Sequence, residues 1–193
     1  GRPAPGTGNL SGVFTVAANP LNGNGATGNA FQYDEVGYFR LRPQAVYDDT
    51  FVSTSGSADV ANSDCTDDTS NTLVGGKYGC KFSNSAATNH FGRFIPDHFL
   101  ISNNTVVEAC TSATPFTYFG QDGLVTNFTM TAQNSSNTTT QNYTSTYAKF
   151  NPTVYANYAF SMSGAPVGAV LSASATAPTG TWLSGVVAVA AKH

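Results

Sequence analysis

Two stretches of the chain alternate apolar and polar residues with a period of two. In 124–133, Phe128, Met130 and Ala132 fall on one face, against Asn127, Thr129 and Thr131 on the other. In 153–162, Val154, Ala156, Tyr158, Phe160 and Met162 oppose Thr153, Asn157 and Ser161. That period belongs to a half-buried β-strand. Further strands are expected near 97–103, 115–119, 143–150, 166–174 and 181–191. Turn signals separate them every ~8–12 residues, the pattern of an immunoglobulin-like sandwich. Trp182, the only tryptophan, is expected as a core or edge aromatic of the last strand.

The first half is patterned less regularly. Residues 11–17 predict a strand, and 19–29 a loop of Pro, Asn and Gly. Phe31–Tyr47 predicts two strands with a bend at Asp34–Gly37, where Gly37 can take a turn or bulge conformation that other residues resist. Residues 52–72 lose apolar periodicity and predict a long loop, with short strands at 72–74 and 77–82. No segment combines helix capping with a 3.6-residue period. The expectation is an all-β protein of two tandem immunoglobulin-like β-sandwich modules. Residues 1–92 form the first, with an acidic disulfide loop, and 93–193 the second, with the boundary near 91–97.

Composition narrows the class. Charged residues make up 10%, against about 25% in ordinary soluble domains. Ser, Thr, Asn and Gly carry the polarity instead, as in secreted or surface β-proteins. An aromatic content of 12% argues for a packed core rather than disorder. A net charge of −3 gives no footprint for nucleic acid or an anionic membrane. No apolar run is long enough to insert into a bilayer, and the first residues lack a signal-peptide core. Val186–His193 reads as a strand that stops abruptly, so the natural protein is expected to continue.

Cys65 and Cys80 flank turn-rich sequence including Gly75-Gly76, and a local disulfide between them is expected. It would contribute about 3 kcal/mol in the chain-entropy model. Cys110 is left over, as a small buried hydrophobe or paired elsewhere. No Cys-x-x-Cys is present, so oxidising surroundings fit better than a zinc site.

Residues 34–68 hold eight of the eleven acids and only two bases, Arg40 and Arg42. Asp64, Asp67 and Asp68 are the calcium candidates, since calcium takes carboxylate oxygens from flexible loops. The ordinary alternative is a solvated acidic loop with no cofactor.

Tyr47, Tyr118, Tyr143 and Tyr155 are candidates for stacking on a glycan if exposed, or else edge tyrosines with a wet hydroxyl. His90 and His98 are separated by Gly92 and Pro96, Asp97 and His98 should point to opposite faces of a strand, and no Gly-x-Ser-x-Gly occurs. The two glutamates, Glu35 and Glu108, lie in different halves. No catalytic residues are expected, and the protein is not expected to be an enzyme.

His90–Ile101 reads instead as a junction. Arg93 would pair with Asp97 or Glu108, Phe94 would pack against one or both modules, and Pro96 would stiffen the entry to the next strand.

Several of these residues also carry a resemblance. Gly92-Arg93-Phe94-Ile95-Pro96-Asp97-His98-Phe99, Ala109-Cys110, Phe116–Gln121, Thr131–Asn134, Asn142-Tyr143 and Ala148–Phe150 form one group; Phe31–Gly37 and Lys77–Cys80 form another. Together they are similar to the C-terminal domain of unknown function in bacterial MshQ-like proteins. Those are large envelope proteins linked to the mannose-sensitive haemagglutinin type IV pilus. The resemblance implies an extracellular or cell-surface location and carries over no catalytic residues.

The resulting expectation is a structural stalk segment of a pilus-associated or surface adhesin. Its partners would be other domains of the same chain or other pilus and surface proteins. Alternatives are a glycan- or calcium-dependent adhesion module, or a self-associating filament subunit.

Overall fold

A computed structural model describes residues 8–13, 28, 30–45, 47–48 and 65–193. The protein is all-β: among these residues regular structure consists of strands and short 3-10 turns. No helix among them is long and apolar enough to cross a membrane. The chain divides into two compact units, Tyr38–Gly92 and a second unit built from residues 1–37 and 93–193. The described residues up to Gly37 thus group with Arg93–His193 in this division.

In that second unit the central element is an antiparallel sheet in the order β7 (His98–Val107), β8 (Val125–Gln133), β9 (Val186–Lys192). Phe99 lies opposite Ala132, Ile101 opposite Met130, and Met130 in turn opposite Val187. The alternation of β8 is realised as expected, with Phe128, Met130 and Ala132 buried on one face. Val187, Val189 and Ala191 extend that face across β9. The β7–β8 register shifts between Ser102 and Thr105, where Asn103 takes a φ of 50°. Such a bulge twists an edge strand away from flat pairing.

The layer over this face is not made of strands. The stretches 143–150 and 153–162 form 3-10 turns at Ser145–Tyr147 and Tyr155–Asn157. Asn151 explains the second: its Oδ1 accepts bonds from the Thr153 N–H (3.0 Å) and hydroxyl (2.9 Å), and its carbonyl accepts from Asn157 Nδ2 (2.9 Å). These local bonds supply partners that a strand ladder would otherwise provide. Tyr158 and Phe160 still reach Phe128, at ring distances of 5.6 and 6.3 Å, while Val154 and Met162 face solvent. The expected strands at 115–119 and 166–174 reduce to a single bridge, Cys110 with Phe116, in the first case and to irregular chain in the second.

Trp182 is buried before β9 begins, its ring stacked on Phe99 at 5.5 Å and edge-on to Tyr143 at 4.8 Å. Its Nε1 donates to the Phe150 carbonyl (2.9 Å), the Phe150 N–H donates to Tyr143 Oη (2.9 Å), and the Thr144 hydroxyl donates to the Trp182 carbonyl (3.0 Å). The polar groups of Trp182 and Tyr143 in this aromatic layer are thus paired with backbone atoms, as burial requires. The N-terminal contribution is β1 (Leu10–Ser11) paired antiparallel with β2 (Gln32–Tyr33), then a bend at Glu35-Val36 that buries Val36 in the same core. The rest of the expected strand 11–17 lies outside the described residues beyond Val13.

In the Tyr38–Gly92 unit, β4 (Tyr47–Asp48) pairs antiparallel with β5 (Phe82–Ser83), and Phe39 stacks on Phe91 at 5.1 Å. β3 (Gly37–Phe39) pairs with β6 (Phe91–Phe94). Cys65 and Cys80 form the expected disulfide, with Cα atoms 5.6 Å apart. It closes a loop that holds a hairpin, in which Val74 pairs with Lys77 around Gly75 and Gly76 at φ of 62° and 82°, and ties the returning strand to Thr66, which bridges Gly79 in parallel. Positive φ at both central positions is the type I′ requirement, which glycine meets without strain.

Candidate functional site

The acids of residues 34–35 are structural ties. Glu35 is buried, and its carboxylate accepts bonds from the backbone N–H groups of Gln141 (2.7 Å), Asn142 (3.0 Å) and Val36 (3.2 Å). Asp34 accepts from the Asn9 N–H (2.6 Å), and its carbonyl from Asn134 Nδ2 (3.1 Å). Charge-assisted bonds of this kind are roughly twice as strong as neutral ones. They pin the first strands to the loops following β8.

A groove of about 840 Å³ opens in the same unit between the loop 108–124 and the segment 160–175. One wall is a turn at Tyr118–Gln121. The Gln121 N–H donates to the Tyr118 carbonyl (3.0 Å), Gln121 Oε1 accepts from the Tyr118 N–H (3.0 Å), and Gly120 supplies a φ of 74°. Gln121 Nε2 rests on Cys110 Sγ at 3.4 Å, and Cys110 exchanges backbone bonds with Phe116. So braced, the turn holds Tyr118 67% exposed and Phe119 78% exposed.

Glu108 stands beside them, its Oε2 accepting the Thr117 hydroxyl proton while Thr117 Oγ1 accepts from the Ala109 N–H (3.0 Å). Asp122 is exposed on the same rim. On the floor, His193 Nδ1 meets the Tyr155 hydroxyl at 2.7 Å, its Nε2 meets the Thr126 hydroxyl, and its ring lies edge-on to Phe160 at 4.6 Å. Burial lowers the His193 pKa below its ordinary value and raises that of Tyr155. Burial also pushes Tyr158, whose hydroxyl donates to the Pro152 carbonyl (2.8 Å), up to about 12.

The residues expected at a site are dispersed. Asp64 lies outside the described residues. Asp67 pairs with Lys81 at 2.8 Å, and Asp68 Oδ1 accepts from the Thr66 hydroxyl and the Ser70 N–H, both at 2.9 Å. Both carboxylates serve the stapled hairpin. Among the described residues no three His, Cys, Asp or Glu side chains converge as metal ligands.

Of the four tyrosines, Tyr118 is exposed, Tyr143 is core and Tyr155 is half-buried; the Tyr47 side chain is outside the described part. Sequence alone missed Phe119, Glu108 and Asp122 as groove residues. The usable signal was Gly120, a turn residue placed directly after two aromatics.

At the junction, Phe94 is half-buried with its ring 5.0 Å from Tyr33, and Pro96 is half-buried. Arg93 is exposed. Neither expected acid pairs with it: Asp97 Oδ2 takes His98 Nδ1 at 2.9 Å, and Glu108 takes Thr117. The expectation that Asp97 and His98 point apart fails because β7 begins at His98. Asp97 therefore stands outside the pleat, on a bend, where its carboxylate can turn to the neighbouring ring. His98 Nε2 contacts Gln133 Oε1 at 3.0 Å.

No curated protein and no solved structure matches the chain. Residues 35–193 match the family described as "DUF6701, third domain". That span takes in Glu35, the stapled hairpin, the β7–β8–β9 sheet and the groove, and the chain belongs to this family.

Proposed function

We propose that the chain is a non-enzymatic structural segment of a bacterial surface protein, of the pilus-associated MshQ-like kind. It would hold neighbouring parts of a longer protein at a distance from the envelope. The observation that carries this reading is how the buried polar groups are used. The Glu35 carboxylate and the Trp182 indole bind backbone groups 106 and 32 positions away in sequence, and the Tyr143 hydroxyl adds a local bond from the Phe150 N–H. They act as internal ties that resist shearing of one segment past another. The family description, a third domain, agrees with a position inside a multidomain protein. The Cys65–Cys80 disulfide agrees with an oxidising, extracellular setting. We assign the sheet unit to the immunoglobulin-like class on its antiparallel β7–β8–β9 order and the tryptophan packed on one face.

The test is replacement. In the full-length protein on intact cells, residues 35–193 are exchanged for an unrelated β-domain of similar length, and antibody access to the flanking parts is measured. Retained access supports a spacer. Loss of access, with the hybrid protein present at normal levels in the envelope, overturns it.

A further inference from the structure

We propose that the groove between residues 108–124 and 160–175 binds a neutral oligosaccharide, with Tyr118 and Phe119 as the stacking surface and Glu108 and Asp122 as hydroxyl acceptors. This goes beyond the spacer reading and does not depend on it.

The first support is the presentation of the two rings. Two adjacent large aromatics held mainly in water at the mouth of a groove make a contiguous apolar patch, the kind of exposed surface that marks binding sites. Here the turn that carries both is braced, since Gln121 bonds it twice, at 3.0 Å each, and is itself seated on Cys110, while the Tyr118 ring also lies edge-on to Phe116 at 4.9 Å. A pre-set surface loses little conformational freedom when a ligand docks, which raises affinity for a given contact area.

The second support is the chemistry beside the rings. Glu108 spends Oε2 on Thr117, and Oε1 has no partner among the described residues. Asp122 likewise stands on the rim. A carboxylate that accepts two adjacent hydroxyls fixes a sugar ring as an aromatic plane fixes its C–H face. Ser161 and Ser163 line the groove from the other segment and add neutral donors and acceptors. The volume, about 840 Å³, lies within the ~300–1,000 Å³ of ligand sites and is open at the surface, as a chain of sugars requires.

The third support selects the charge. No lysine or arginine lines the groove, whereas two carboxylates do. His193 is held by two hydroxyls, and burial disfavours its charged form. Sialylated, sulfated, uronic or phosphorylated ligands would find repulsion and no counter-ion. A neutral sugar needs neither.

The experiment uses the full chain on an array of neutral gluco-, galacto- and manno-configured oligosaccharides with their sialylated and sulfated counterparts. Calorimetry follows with the best neutral compounds, down to affinities of about 1 mM. Tyr118→Ala and Phe119→Ala are compared at matched melting temperature, which their exposure should leave unchanged. We expect neutral glycans to bind, each ring removal to weaken binding about tenfold or more, and Glu108→Gln to change which sugar is preferred. Preference for acidic glycans, absence of neutral binding by calorimetry, or affinity that survives both ring removals would overturn the assignment. Occupation of the groove by another part of the full-length protein would appear as labelling protection of Tyr118 without any glycan, and would equally overturn it.

Discussion

The two compact units are held together by different physics. The unit containing β7–β9 buries Phe128, Met130, Trp182, Val187 and Val189, and ties its loops with bonds from buried polar groups. In Tyr38–Gly92, Cys80 is the buried hydrophobic residue among those described, and Leu73, Val74 and Tyr78 on the hairpin stand 51–61% exposed. There a covalent bond substitutes for burial. A loop with few apolar contacts must lower the entropy of its unfolded state instead, which a disulfide does. One unit should therefore answer to core mutations and the other to reductant.

The largest expected effect is Trp182→Ala. It removes a buried ring and leaves the Phe150 carbonyl without its donor, and should destabilise the sheet unit by about 3–5 kcal/mol. Calorimetry should show the transition of that unit fall, with the hairpin's disulfide unaffected. Next comes Cys65→Ser with Cys80→Ser, expected to cost about 3 kcal/mol within the 38–92 unit. Proteolysis should then open the hairpin first, leaving the fragment that carries β7–β9 intact.

Glu35→Ala should cost about 1–3 kcal/mol, because the Gln141 and Asn142 N–H groups lose their acceptor. Asn142 amide exchange measures it. Glu35→Gln should recover only part, since an amide offers one acceptor oxygen where the carboxylate offers two.

The smallest effect is pH. Burial lowers the folded pKa of His193. Its contribution is therefore fully present above the unfolded value of about 6.5 and is lost as pH falls from there through the folded value. The melting temperature should drop between pH 8 and pH 5 by more in the native chain than in His193→Gln.

These contrasts also show what the sequence could and could not reveal. Alternation placed β8 correctly because one face of that strand is buried and the other is not. The same alternation at 153–162 misled, since Asn151 offers the backbone local partners, and Tyr158 and Phe160 reach the core from just beyond a 3-10 turn. A period of two does not record where the backbone bonds go, and without a strand ladder only Tyr158 and Phe160 of that set turn inward while Val154 and Met162 stay exposed.

The role of Glu35 could not be read from the acidic run at 34–68. Glu35 meets Gln141 and Asn142 across more than a hundred positions, and no local pattern carries such a pairing. The disulfide, by contrast, was legible because the turn that closes it, Gly75-Gly76, lies between its cysteines. At the groove, Tyr118 was nameable from its type alone. Phe119 needed the turn geometry set by Gly120 and Gln121.

The most direct test of the contrast between the units is hydrogen exchange read by mass spectrometry on the chain with and without reductant. Reduction should deprotect residues 66–81 while the amides of β7, β8 and β9 keep their protection. Equal loss of protection in β8, or no loss at 66–81, would contradict the account.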